Sequence, residues 1–322
     1  MKIESLLSYD NVYLRPTFSE LDSRSNADVS VDLCGCNFKS PIIPANMTDV
    51  VSFQNAKLLS DNGYFYIMHR FESATIEFTN FICENDIKLI SLSIGINDDS
   101  KNDLNYVIKK LSEKERCVNF LCIDVAHGHH KKVKNMIVYV KKLFRGFPKT
   151  PKLIVGNVAT SEGYTYLADC GVDIIKCGIG QGSICTTKYK TGFHLPTLHS
   201  VYECASLGLG VPIIADGGAK HYGDIAKALT LGATMVMSGG WFASCIDSPA
   251  KIEHGMKIYR GSTSYEVKNK KSHIEGRTLE IDQGCTYSER MTEIEESLKS
   301  SISYAGGKDL SIFKTTKWHQ CL

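Results

Sequence analysis

At 322 residues the chain can form two average domains or one large barrel, and a formal net charge of +2 is too small for a nucleic-acid surface. It is 43% hydrophobic, enough for a sizeable core, yet no apolar run approaches the ~20 residues of a membrane helix. The 12 cysteines are scattered with no C-x-x-C pair, which excludes zinc-ribbon and thioredoxin-type sites and suits a reducing cytoplasmic setting.

In chain order, the opening MKIESLLSYDNVYLRP has neither the apolar core nor the cleavage site of a signal peptide. PIIPA at 41–45 leads into a helical stretch, and YFYIMH at 64–69 precedes ATIEFTNFICEN. IKLISLSIG at 87–95 precedes DLNYVIKKLSEK, and VNFLCIDVA at 118–126 precedes KVKNMIVYVKKLF. KLIVGN at 152–157 precedes SEGYTYLADCG, and DIIKCG at 173–178 is followed by a glycine-rich loop and TLHSVYECASLG. PIIAD at 212–216 precedes GDIAKALTLG, and TMVMSGG at 234–240 closes the series.

These eight short runs are apolar on both faces, as buried parallel strands are, and amphipathic stretches separate them. The pattern predicts an α/β fold, a (β/α)8 TIM barrel. Glycines in ADCG and LTLG supply helix stops. Beyond Ala243 the rhythm breaks. Residues 251–286 are polar, with NKKSH, and predict a mobile flap at about 250–286. MTEIEESLKSSISYAGG then gives one C-terminal amphipathic helix, and no linker divides the chain, so one domain over 1–322 is expected.

In such a barrel chemistry sits on the loops after the strands. Those loops hold Asp124, Asn157, Cys185, DGG at 216–218 and SGG at 238–240. The paired glycines let backbone N–H groups approach an anion ahead of a helix, so a phosphate site is expected there. Cys185 follows GIGQGS and precedes two threonines. The residues alone leave two readings open for it, a small packing residue or a nucleophilic thiolate. His127, His129 and His130 have spacings unsuited to zinc, and HHKK at 129–132 reads as a solvated helix face.

GIGQGSICTT, PANM at 44–47, DVAHGH at 124–129, GNVAT at 156–160, IIADGG and MVMSGG together resemble the IMP dehydrogenase and GMP reductase family. The motifs fall in family order from about Tyr9 to Gly307. The resemblance implies a homotetrameric, cytoplasmic barrel that binds a purine nucleotide beside a nicotinamide cofactor. HRFE, GYFYIMHRF and SSISYAGG look more like the bacterial-type reductases, and two further features favour a reductase over a dehydrogenase. Strands two and three leave no room for CBS modules, and neither Arg260 nor Arg277 is followed by the tyrosine that dehydrogenases use to activate water. The implied reaction is NADPH-dependent deamination of GMP to IMP in nucleotide salvage.

By the same resemblance Cys185 is the nucleophile, and Thr187 with Glu275 manages the departing amine. Ser183, Asp216, Gly217, Gly218, Gly239, Gly240, Gly261 and Ser262 would hold the nucleotide. Asp124, Asn157, Arg70 and Tyr304 would face the cofactor, Tyr304 in a neighbouring subunit. Carbonyls of Gly178, Gly180 and Cys185 would offer a site to K+. Gln181 departs from the family's proline, while HLPTLHS and Trp241 and Cys245 in SGGWFASC also depart from it. The alternatives are a dehydrogenase without CBS modules, an inactive nucleotide-binding protein, and an unrelated phosphate-binding barrel using Lys176.

Overall fold

A computed structural model describes residues 5–262, 264 and 276–321. Its centre is a parallel sheet of seven strands. In spatial order these are Ile42–Pro44, Met235–Ser238, Ile213–Asp216, Ile174–Cys177, Lys152–Val158, Phe120–Asp124 and Ser91–Ile94. The first strand in sequence pairs with the last, Ile42 opposite Val236, so the sheet curls back toward its own start.

The expected second strand at 64–69 is the one departure from eight. It carries no ladder of its own and touches the sheet at Met68, whose N–H donates to the Ser91 carbonyl at 3.0 Å. Met68's carbonyl in turn accepts from the Ser93 backbone at 3.0 Å and from its hydroxyl at 2.7 Å. Side-chain bonds thus take over part of the ladder; Tyr66 likewise donates its hydroxyl to the Leu89 carbonyl. The segment still stands in the eighth place, because its side chains sort by face as those of its neighbours do.

That sorting has the period of two that strand geometry imposes. Ile43, Phe65, Ile67, Phe120, Cys122, Ile154, Ile174, Ile214, Met235 and Met237 form one buried cluster inside the curled sheet. The alternate residues, among them Ile42, Tyr66, Leu121, Val155, Ile175 and Val236, pack outward with the helices. A hairpin of Val31–Leu33 and Cys36–Phe38, absent from the sequence reading, joins the inner cluster. Phe38 lies 4.9 Å from Phe65 and 6.0 Å from Phe120 between ring centroids, which plugs the end where the strands begin. The opposite end is left for chemistry.

The described residues of 250–286 are more structured than a plain polar loop. Lys251–Glu253, Met256–Arg260 and Thr278–Ile281 form an antiparallel sheet. Two cations on the middle strand tie it down. Lys257 donates to the carbonyls of Ile246, Ser248 and Ala250 at 3.1 Å each. Arg260 pairs with the fully buried Asp49, which also accepts from the Arg260 backbone N–H at 2.7 Å. Within the flap, residues 263 and 265–275 lie outside the described residues. Tyr287–Tyr304 follows as the expected helix, opened by a Thr286–Glu289 capping box and buried through Met291, Ile294, Leu298 and Ile302. Val12–Leu14 and Trp318–Gln320 pair antiparallel near the two ends of the chain. No described helix is long and apolar enough to cross a membrane.

One glycine shows how tightly the open end is packed. A Cβ on Gly156 would lie 2.6 Å from Lys176 Cβ and 2.7 Å from the Lys176 carbonyl oxygen. Gly156→Ala must therefore push two sheet neighbours apart, at an overpacking cost of about 1–3 kcal/mol. Urea denaturation checks this; a midpoint equal to that of the parent protein would show that the strands separate freely.

Candidate active site

At the open end the inward-facing residues turn from apolar to charged. Lys176, on the strand Ile174–Cys177, is 2% exposed, with Nζ 2.8 Å from Asp124 Oδ1 and 3.2 Å from Asp216 Oδ2. The two carboxylates stand at the last residues of their own strands, Phe120–Asp124 and Ile213–Asp216. Asn157 Nδ2 donates to Asp216 Oδ2 and to the Gly178 carbonyl, both at 2.8 Å. Arg70 Nε donates to the Asp124 carbonyl at 3.2 Å. Four strand ends are thereby locked into one polar floor.

The charges set one another's protonation. Burial pushes the Asp124 carboxyl up, but Lys176 and then Arg70 outweigh it and hold it below its ordinary range. Burial alone would lower the Lys176 ammonium, and Asp124 with Asp216 reverses this and raises it above the usual lysine value. Asp124 and Lys176 are thus held in their charged forms, and Asp216 Oδ2 is fixed by two donors, Asn157 Nδ2 and Lys176 Nζ.

This floor opens into a cavity of ≈ 250 Å³. Cys185 and Thr187 form one wall, with Cys185 Sγ donating to Thr187 Oγ1 across 3.3 Å. Asp124, Asn157 and Arg70 line it as well. Gly217, Gly239, Gly261 and Ser262 also line it, as do Gly178 and Gly180. Gly217 and Gly218 both have positive φ, +87° and +90°, which brings successive backbone N–H groups around one turn. At Gly239 the Tyr259 hydroxyl occupies the place a side chain would need.

Most of the expected site residues thus meet at one cavity, and the exceptions are specific. Ser183, Gly218 and Gly240 are not among the lining residues; the Ser183 carbonyl is taken by Arg277. Tyr304 stands apart, 70% exposed at the end of the last helix beside Tyr13 and Pro16. Glu275 lies outside the described residues. The Gly178 carbonyl already accepts from Asn157. His130 caps the helix Lys131–Leu143, its Nδ1 accepting from the Lys132 N–H at 3.0 Å, as a solvated helix start would. Reading the sequence missed the role of Lys176 as a charged hub. A lysine inside an apolar strand, level with aspartates at two other strand ends, was the available signal.

The arrangement can therefore bind an anion at glycine loops, hold a polyol at Asp216 and bring a thiol to the same space. The family model for the IMP dehydrogenase / GMP reductase domain matches residues 6–318. The chain belongs to that family. Within the family it is similar to the GMP reductase of Bacillus licheniformis, 39% identical over 98% of this chain and 96% of the relative. The GMP reductase of Lactococcus lactis subsp. cremoris is 39% identical over 96% and 93%. That of Acidovorax ebreus is 41% identical over 95% and 93%. The family resemblance read from GIGQGSICTT and the paired glycines thus holds over nearly the whole chain, and the family's barrel is the fold found.

Proposed function

We propose that the chain is a single-domain GMP reductase that uses NADPH to convert GMP to IMP and ammonia. The observation that carries the reading is the Cys185 thiol, 3.3 Å from the Thr187 hydroxyl, on a cavity also lined by the Asp124–Lys176–Asp216 cluster. Relatives named GMP reductase, aligned along almost all of the chain, support it.

The chemistry follows from the difficulty of replacing an amine at purine C2. Cys185 adds through sulfur to C2, and the 2-amino group leaves as ammonia, carrying the thiol proton. Thr187, within reach of the sulfur, relays that proton, with Glu275 as its partner. The product is a thioimidate between Cys185 and the ring. Hydride delivery to C2 then breaks the carbon–sulfur bond, giving IMP and the thiolate. Gly217, Gly218, Gly239, Gly240 and Ser183 hold the phosphate, Asp216 takes the ribose hydroxyls, and Gly261 and Ser262 line the nucleotide.

The nicotinamide cofactor supplies the hydride when bound. The residues present suit it. A carboxamide, a ribose and a diphosphate call for an acceptor, an amide and a cation, and Asp124, Asn157 and Arg70 present these in the lining of the cavity. Tyr304 serves a neighbouring subunit in a homotetramer, and K+ would draw on the carbonyls of Gly178, Gly180 and Cys185.

Mixing the pure protein with GMP and NADPH tests the reading. Loss of reduced-cofactor absorbance should match ammonia released one to one, while IMP with NAD should give little XMP. The reverse pattern would make the protein a dehydrogenase.

A further inference from the structure

The loop that carries Cys185 has little to hold it in place from within. Its backbone turn is the Cys185 N–H bonded to the Gly182 carbonyl at 2.9 Å. The firmer grip comes from outside, from the residue where the chain re-enters the antiparallel sheet. Arg277 donates from Nε and Nη2 to the Ser183 carbonyl at 3.0 and 2.7 Å, and from its backbone N–H to the Ile184 carbonyl at 3.0 Å. Gly276, its neighbour, forms an antiparallel bridge with Cys185 itself.

The other side of the same residue faces a fixed strand. The Arg277 carbonyl accepts from the Gly261 N–H at 3.0 Å. A Cβ on Gly261 would lie 2.8 Å from Gly276 Cα, so two side-chain-free backbones are in direct contact there. Gly261 follows Arg260, which is paired with the fully buried Asp49. A continuous path of short bonds therefore runs from a buried carboxylate, through Arg260, Gly261 and Arg277, to the two carbonyls before Cys185.

We propose that Arg277 is a positioning residue that sets where the Cys185 sulfur stands. The idea rests on the reading of Cys185 as the nucleophile. The guanidinium suits the task because two N–H groups in one plane converge on a single carbonyl, fixing direction as well as distance; an ammonium is a point charge on a flexible stem. Arg277 does not line the cavity, so it acts through the loop and not on the nucleotide. The glycine turns at 217–218 and 239–240 sit on other strand ends, and the first of them packs against Gln181 and Gly182 at the start of the Cys185 loop.

Arg277→Gln and Arg277→Lys test this with two measurements. In the resting protein, without nucleotide, iodoacetamide labelling of Cys185 is followed by peptide mass mapping, with Cys285 as internal reference. In turnover, kcat and KM for GMP are separated. Arg277→Gln should label faster at Cys185 but not at Cys285. Its kcat should fall about 10- to 100-fold, as for a reacting atom displaced by about 1 Å, with KM within about twofold. Arg277→Lys should fall between the two proteins in both measurements, and the melting temperature of each variant should match that of the parent.

Unchanged Cys185 labelling with unchanged kcat would overturn the proposal. So would a loss of kcat that merely tracks a lower melting temperature, or Arg277→Lys behaving like Arg277→Gln in every respect. If the protein proves to have no GMP reductase activity, the labelling comparison still decides whether Arg277 holds the loop. A failure of the function and a failure of the clasp are then seen separately.

Discussion

Cys185→Ala should lower turnover by about 10⁴-fold or more while GMP still binds with an affinity near that of the parent protein. The two halves of this result have separate physical origins. On the proposed mechanism turnover requires a sulfur–carbon bond that alanine cannot form, and no other cysteine among the described residues lines the cavity. On the proposed reading, binding draws on the glycine turns at 217–218 and 239–240 and on Asp216, which belong to other strands and the turns after them. Calorimetric titration with GMP and a cofactor-absorbance assay measure the two halves independently. Turnover close to the parent rate would remove the thiol from the mechanism.

Lys176→Met should be the most damaging change on the floor of the site. It leaves the partly buried Asp124 and Asp216 without the buried ammonium that pairs both. Breaking a buried pair by deleting one partner costs about 3–5 kcal/mol. The pH dependence gives the cost a signature. Asp124 is held below its ordinary value, so its contribution is present above about pH 4 and is lost as pH falls through the depressed folded value. Lys176 is raised, so its contribution is present below about pH 10 and is lost as pH rises through the higher folded value. In Lys176→Met the Asp124 carboxyl loses its main counter-charge and takes up a proton at higher pH. The deficit in urea stability should accordingly be largest near neutrality and shrink toward acid. A deficit that is the same at pH 7 and pH 5, or absent at both, would show that Lys176 does not hold the carboxylates.

How much of this was legible beforehand depended on the range of the interaction. Apolar runs such as VNFLCIDVA and KLIVGN announce strands because a sheet buried on both faces leaves no polar position to misread. Asp124, Asn157, Cys185 and Asp216 could be placed at one rim because strand ends in a barrel share a rim. YFYIMH reads equally well as a strand, yet its backbone bonds to the sheet only around Met68 and shares that role with Ser93 and Tyr66 side chains, which local pattern does not encode. The hairpin at 31–38 and the sheet within 251–281 were missed because their strands are short and polar on one face. The charged floor was the hardest to foresee. Lys176, Asp124 and Asp216 come from three separate strands, and a lysine in a strand reads as an interruption until its partners are known. Arg260 and Arg277 were judged by the residue that follows each, whereas their importance lies in Asp49 and Ser183, far away in sequence.

The most direct measurement is peptide mass analysis of the protein quenched in acid during turnover with GMP and NADPH. A covalent mechanism requires the tryptic peptide bearing Cys185 to gain the mass of GMP less ammonia. An adduct on a different cysteine, or steady ammonia release with the Cys185 peptide unmodified at every quench time, would contradict it.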